Sequence, residues 1–253
     1  MEGKEVETME NAVLLSSIRQ DGPIVDKQFH GDDLEELHMA EARFRGCRFA
    51  DCNFDRSTIR STSFFNCQFV RCSFKEAEFS DCLFVDSERQ AGSVWEYCML
   101  SEAKFARSNL GMNRMVKCDA YLLTFEDCAA MGLQFEAEVH RRISKKLMVG
   151  GLRVTKCKLQ YAVFAPSNLE ESTFESSDLR DCSFAGCNLS RSSFRGSSLN
   201  NADFSEATLD GATLAYATFD TLDLASIASH RAAVVSRDQH ENILSSLGLL
   251  TID

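Results

Sequence analysis

A five-residue period runs through this chain and constrains its fold more than any other feature. Eighteen of the nineteen phenylalanines fall on it; only Phe65 does not. From Phe29 to Phe84 every fifth residue is apolar, including Leu34, Met39, Phe44, Phe49, Phe54 and Ile59. After a slip of one residue the period continues through Leu100, Phe105, Leu110, Met115, Phe125 and Phe135. After a second slip it runs unbroken from Leu159 to Leu224. Five is neither the helical period of 3.6 nor the strand period of 2. The slot two residues before most of the large apolar residues is small, as in Ala202-Asp-Phe204, Ala207-Thr-Leu209 and Ala212-Thr-Leu214. One large and one small inward residue in every five suit a chain that turns a corner after each pentapeptide. Gly31, Gly46, Gly132, Gly186, Gly196 and Gly211 lie two residues after a large one, where a corner needs permissive backbone.

The same grid accounts for the cysteines. All eleven, from Cys47 to Cys187, occupy the small slot, which elsewhere holds Ala, Ser or Thr. They read as small buried hydrophobes rather than zinc ligands, whose C-x2-C spacing is absent. An odd number of thiols, and no positively charged start followed by a long apolar stretch, point to the cytoplasm. There is no run long enough to span a membrane. The net charge of −11 argues against nucleic acid as a direct ligand. The five histidines show no metal spacing, and no P-loop, nucleophile elbow or dinucleotide fingerprint occurs. No enzyme, cofactor or metal site is therefore expected.

What the grid excludes is more informative. Phe84 to Leu100 spans sixteen residues and Phe135 to Val154 nineteen, neither a multiple of five. Insertions in a regular solenoid emerge as loops from a corner. The reading is two protruding loops, 85–97 and 136–152, with partner-binding candidates Asp86, Glu88, Arg89, Trp95 and Tyr97 in the first. The second offers Arg141, Arg142, Ile143, Lys145, Lys146, Leu147 and Met148. From Glu136 to Lys158 there are seven basic and two acidic residues; from Leu159 to Leu224 there are ten acidic and three basic. A basic loop beside an acidic stack either folds back onto its own rod or reaches a partner. Its large apolar residues tilt the balance toward a partner.

After Leu224 the period stops. Ser236-Arg-Asp-Gln239 has the form of a capping box, and Gly248 ends a short helix. Ile243, Leu244 and Leu247 share one face of it, with Leu249 and Leu250 following. The segment either caps the rod or makes a two-fold dimer contact. The chain thus divides into an extension (1–28), a repeat region (29–224) and a C-terminal capping or dimerisation segment (225–253).

The pentapeptides from Ala202 to Thr221 resemble the A(D/N)LXX motif of the pentapeptide repeat family. That resemblance implies an all-β, right-handed quadrilateral β-helix with four pentapeptides per coil. About nine coils stacked at ~4.8 Å would make a rod of roughly 43 Å. Two interruptions at these places, a Leu-Gly-Leu-Leu tail and the segment Cys82 to Gly92 resemble the Qnr group. The tail is also similar to the albicidin-immunity proteins of antibiotic producers. Both resemblances imply a DNA-mimicking protein that protects bacterial DNA gyrase or topoisomerase IV from quinolones or a natural-product poison. They also imply a homodimer joined at the C-terminus. The carboxylates of such a mimic face would be Glu170, Glu171, Glu175, Asp178, Asp181, Asp203, Glu206, Asp210, Asp220 and Asp223. The alternative is a general interaction scaffold or effector built on the same rod, with no topoisomerase target.

Overall fold

The computed structural model describes residues 22–86, 91–144 and 147–249. The chain winds into a four-sided solenoid of parallel strands. Its four sides are columns of inward residues that repeat one coil apart. On the first side Phe29 pairs with Phe49, Phe69, Trp95, Met115, Phe135 and Phe164 in one seven-stranded sheet. Single bridges from Val163 to Ser183 and on to Asp203 carry this side through two further coils, for nine in all. The third side is the second seven-stranded sheet, from Met39 through Phe79 and Phe105 to Phe174. The second side, which begins at Leu34, and most of the fourth, which begins at Ile24, are held by bridges such as Asn53↔Ser73 and Asn109↔Ala129.

The large apolar residue of each pentapeptide points inward and stacks on its equivalent one coil away. Phe49 and Phe69 lie 5.1 Å apart at 12°, and Phe79 and Phe105 4.5 Å apart at 3°. Rings on neighbouring sides meet edge-on, as Phe49 and Phe64 do at 74°. Both geometries are favourable for aromatic quadrupoles. The core is therefore one continuous filament, and each coil leans on the next.

The corners carry a cost that the winding offsets. Two residues after most inward residues the backbone adopts positive φ, at the glycines but also at Asp51 (56°), Arg71 (53°) and Tyr97 (56°). Side chains with a Cβ rarely occupy this region. Each such N–H donates to the next coil: Asp51 N to Val70 O at 2.9 Å, Arg71 N to Glu96 O at 2.9 Å. The regular ladder holds the strained corner in place, so glycine there is optional.

All eleven cysteines are free and buried, as the grid requires. They also do something that alanine cannot. Cys72 Sγ donates to Phe49 O at 3.4 Å and Cys98 Sγ to Phe69 O at 3.4 Å. Ser93 Oγ makes the equivalent bond to Phe64 O at 2.6 Å and Ser197 Oγ to Phe174 O at 2.7 Å. The small slot thus selects residues that can pair a buried carbonyl. Burial pushes the Cys82 thiol up to about 11 and the Cys182 thiol up to about 12.

Candidate partner-binding surface

Both breaks in the period are antiparallel hairpins, and both are narrower than the gaps in the grid. In the first, Val85 pairs with Gly92 and Asp86 with Ala91. The coil resumes at Ser93, whose N–H donates to Phe84 O. The expectation that Trp95 sits in a protruding loop is incorrect. Trp95 is fully buried, stacks 4.2 Å from Phe69 and donates its indole N–H to Asn113 Oδ1 at 3.0 Å. It takes the inward slot of the fourth coil. The sequence carries a signal for this, because Trp95 lies five residues before Leu100 and follows a small Ser93. Tyr97 is at the next corner and exposed, with the Lys117 ammonium 5.7 Å from its ring.

Asp86 is also not a surface contact. It is buried and bound to Arg45 Nη1 at 2.9 Å. The Arg45 guanidinium in turn lies over the ring of Phe65, 5.4 Å from its centroid. The one off-grid phenylalanine therefore belongs to the brace of the first hairpin. Glu88 and Arg89 lie outside the described residues.

The second hairpin pairs His140 with Gly150, Arg141 with Val149 and Arg142 with Met148. Residues 136–139 and Leu152 remain in the coil, with Val139 and Leu152 buried in the core. Its base is tied to the rod on two sides. Both His140 ring nitrogens face backbone carbonyls of the next coil, Asn168 O at 3.1 Å and Glu170 O at 2.9 Å. Arg141 reaches back to Asp119 Oδ2 at 3.1 Å and Ser101 Oγ at 2.5 Å, with its guanidinium 4.6 Å from the Tyr121 ring. Gly150 (φ 153°) is required here, because a Cβ would stand 2.2 Å from Val139 O. The distal part remains open: Ile143 is 61 % exposed, Leu147 50 % and Met148 43 %. Both readings of this loop thus apply to different parts of it. The base folds onto the rod, and the tip presents apolar side chains to solvent. Lys145 and Lys146 lie outside the described residues.

The hairpins leave from diagonally opposite corners. The first emerges between the fourth and first sides, after Phe84; the second emerges between the second and third, after Val139. They are two coils apart along the axis. A partner that touches both must wrap around an intervening corner, not press against one flat side.

The ten candidate carboxylates do not gather on one face. By register, Asp203 and Asp223 belong to the first side, Asp178 to the fourth, and Glu206 to the corner between first and second sides. Glu170, Glu171 and Asp210 share the corner of the second hairpin, Glu175 the next corner, and Asp181 and Asp220 the corner of the first hairpin. Several are paired. Arg191 binds Glu170 and Glu171, each at 2.8 Å, and Arg180 binds Asp178 at 2.7 Å. The Arg180 guanidinium holds the Asp178 carboxyl below its ordinary range. The Ser205 and Ser229 hydroxyls do the same for Asp203 and Asp210. The acidic charge surrounds the rod.

At the C-terminus a 3-10 turn over Arg237–Gln239 leads into a helix over His240–Ser246. Gln239 is buried and donates from Nε2 to Leu214 O at 2.7 Å and Ala217 O at 2.6 Å. Asn242 Nδ2 adds Phe219 O at 2.7 Å. These are the carbonyls that the end of a solenoid leaves without a next coil, so the segment caps the stack. The expected capping box forms: Ser236 N donates to Gln239 Oε1 at 2.8 Å and the Ser236 side chain faces the Gln239 N–H, while Ser236 Oγ also accepts from Tyr216 N. Ile243 packs against the core, Leu244 is partly buried, and Leu247 and Leu249 are more than half exposed. Leu250 lies outside the described residues. Capping occupies one face of the helix and leaves the two outer leucines for another contact.

Among the described residues no cluster of three or more His, Cys, Asp or Glu could hold a metal, and no helix is long and apolar enough to cross a membrane.

Residues 179–226 match the family model for pentapeptide repeats, in nine copies. None of the curated proteins compared matches the chain. Among solved structures, a trypsin-treated variant of QnrB1, described as a plasmid-mediated fluoroquinolone resistance protein, is 22% identical with a TM-score of 0.71. The match covers 92% of this chain and 100% of that one. Full-length QnrB1 matches at 22% identity and a TM-score of 0.70, over 90% of this chain and 100% of that one. The chain has the β-solenoid fold of QnrB1, and its residues 179–226 are similar to pentapeptide repeats.

Proposed function

We propose that this pentapeptide-repeat protein binds a bacterial type II topoisomerase, DNA gyrase or topoisomerase IV, and protects it from a poison. The observation that carries this reading is the match along the entire length of a fluoroquinolone resistance protein. A rod of this kind acts by binding rather than by catalysis. The second hairpin, with Ile143, Leu147 and Met148 at its tip, is the principal contact. Tyr97, Arg142 and the distal part of the first hairpin are secondary contacts. The outer leucines Leu247 and Leu249 join two copies at the capped end.

Charge plays the lesser part. A net charge of −11 over a rod of roughly 43 Å is one charge per about 4 Å, against one per about 1.7 Å in duplex DNA. Because the carboxylates encircle the rod, they provide an attractive field on every side without copying the two phosphate ridges of a duplex. The field steers the encounter and the hairpin fixes the register.

The test is a gyrase supercoiling assay with a poison present and the protein titrated in. Rescue at near-stoichiometric protein is the expected result. Failure at every ratio, with quinolones and natural-product poisons alike, removes this reading. Capture of a different stable partner from the same lysate would then favour the scaffold alternative.

A further inference from the structure

The corner between the fourth and first sides differs from the other three. Through three successive coils it carries no charge: Gly111-Met112, Met131-Gly132 and Gln160-Tyr161. The three positions are stacked, with Met112 N donating to Met131 O and Gly132 N to Gln160 O. The Met112 side chain lies over Gly132, where a Cβ would meet its sulfur at 2.6 Å. Leu83 flanks this corner on the fourth side and Val163 on the first. Leu83, Met112, Met131, Tyr161 and Val163 are each 46 to 60 % exposed. A continuous apolar strip on an otherwise charged rod marks a contact surface, and thioethers adapt to what covers them.

We propose that the occupant is the chain's own N-terminal segment, with Val13, Leu14, Leu15 and Ile18 laid along the strip. Three observations favour this segment. The described chain begins beside the right side of the rod: Ile24 opens the fourth-side column on which Leu83 lies. The reach also matches. Leu83 is three coils above Ile24, Met131 is level with the fifth and Tyr161 with the sixth, so the strip begins about 14 Å and extends to about 29 Å up the axis. Measured back from Gly22, Ile18 can reach about 14 Å and Val13 about 31 Å when extended. The charges agree as well. Residues 12–15 are the longest apolar run outside the described residues, Ile18 follows after two serines, and Glu2, Glu5, Glu7 and Glu10 precede them. Beyond and beside the strip, Lys158 and Arg114 are exposed, and neither has a carboxylate partner among the described residues.

The full chain, labelled at its methionine methyl groups, tests this by NMR. The double substitution Leu14→Asp, Leu15→Asp lies outside the described residues, and an unchanged melting curve confirms that the rod persists. It is expected to shift the Met112 and Met131 methyl signals and to leave Met39 and Met148 in place. A nitroxide attached at Ser17→Cys is expected to broaden Met112 and Met131 more than Met148, since the native thiols are buried. Unmoved Met112 and Met131 signals, or no preferential broadening, overturn the proposal. Broadening that persists when the tag is on an unlabelled copy mixed with a labelled one also overturns it, in favour of a second molecule on the strip.

Discussion

Two hairpins interrupt the same winding, and they are held in different ways. The first has two-residue strands, and its stem is part of the wall. Asp86 is buried against Arg45, Gly92 touches the Met112 backbone, and the chain re-enters the core at Ser93 and Trp95. The second has three-residue strands and rests on the wall through His140 and Arg141, while its tip leaves the rod. The difference follows from what each replaces. The first fills a corner where a full-size indole completes the column, so cutting into it cuts into the core. The second follows Val139, which already fills the second side of its coil, so the tip can vary without disturbing the stack.

The largest expected effect would break the comparison at its strongest point. Trp95→Ala should destabilise the protein by about 3–5 kcal/mol, the usual cost of emptying a buried aromatic site. Denaturant unfolding reads this directly. A loss below about 1 kcal/mol would return Trp95 to the loop and make the two hairpins alike.

Next is Asp86→Ala, which removes the acceptor beneath the first hairpin. Arg45 keeps some access to water, so the loss should be about 1–3 kcal/mol, without change in the core. A melting curve identical to that of the parent would show that the brace is incidental.

The reverse holds for the second hairpin. Ile143→Asp together with Leu147→Asp should change stability by no more than about 0.5 kcal/mol, as exposed substitutions do. The same pair should abolish rescue of supercoiling. Rescue that survives would leave the tip without a function and shift the contact to the first hairpin.

The smallest expected effect comes from the corner ion pairs, which occur on both halves of the rod. The Arg71 and Arg107 guanidinium groups hold the Asp51 and Asp81 carboxyls below their ordinary range, as Arg180 does for Asp178. A carboxyl lowered in the folded state contributes stability that is present above its unfolded value, near 3.9, and is lost as the pH falls through the folded one. The melting temperature should therefore be flat from about pH 7 to 5 and fall below about pH 4. Most of these groups are exposed, so the fall should be shallow and weaker still in high salt. A decline that begins near neutral pH would point to another group.

The five-residue period made the core legible because every coil repeats the same decision. A large residue inward, a small one two places before it and a corner two places after are local requirements, and each grid phenylalanine from Phe44 to Phe79 satisfies them independently. The eleven cysteines followed from the same rule. The period failed where it was read too strictly. Trp95 restarted the grid five residues before Leu100, and Val139 filled the second side only four residues after Phe135. Both looked like loop because the breaks were measured from Phe84 to Leu100 and from Phe135 to Val154, past the inward residues between them.

The candidate surface was legible as segments but not as an arrangement. Ile143, Leu147 and Met148 stood out as apolar residues in a basic insertion, and the structure exposes them. That His140 and Arg141 anchor the same insertion depended on carbonyls and side chains twenty to forty residues away, which no local pattern encodes. The distribution of carboxylates had the same limit. Outward slots are visible in the sequence, but the side of the rod each one faces depends on how many residues the two insertions add before it. Local geometry decided that this chain becomes a four-sided rod, because a corner every five residues leaves no other way to bury its phenylalanines. Only the stacked coils decided that its two hairpins stand at opposite corners and that its charge encircles it, because those are sums over the whole winding.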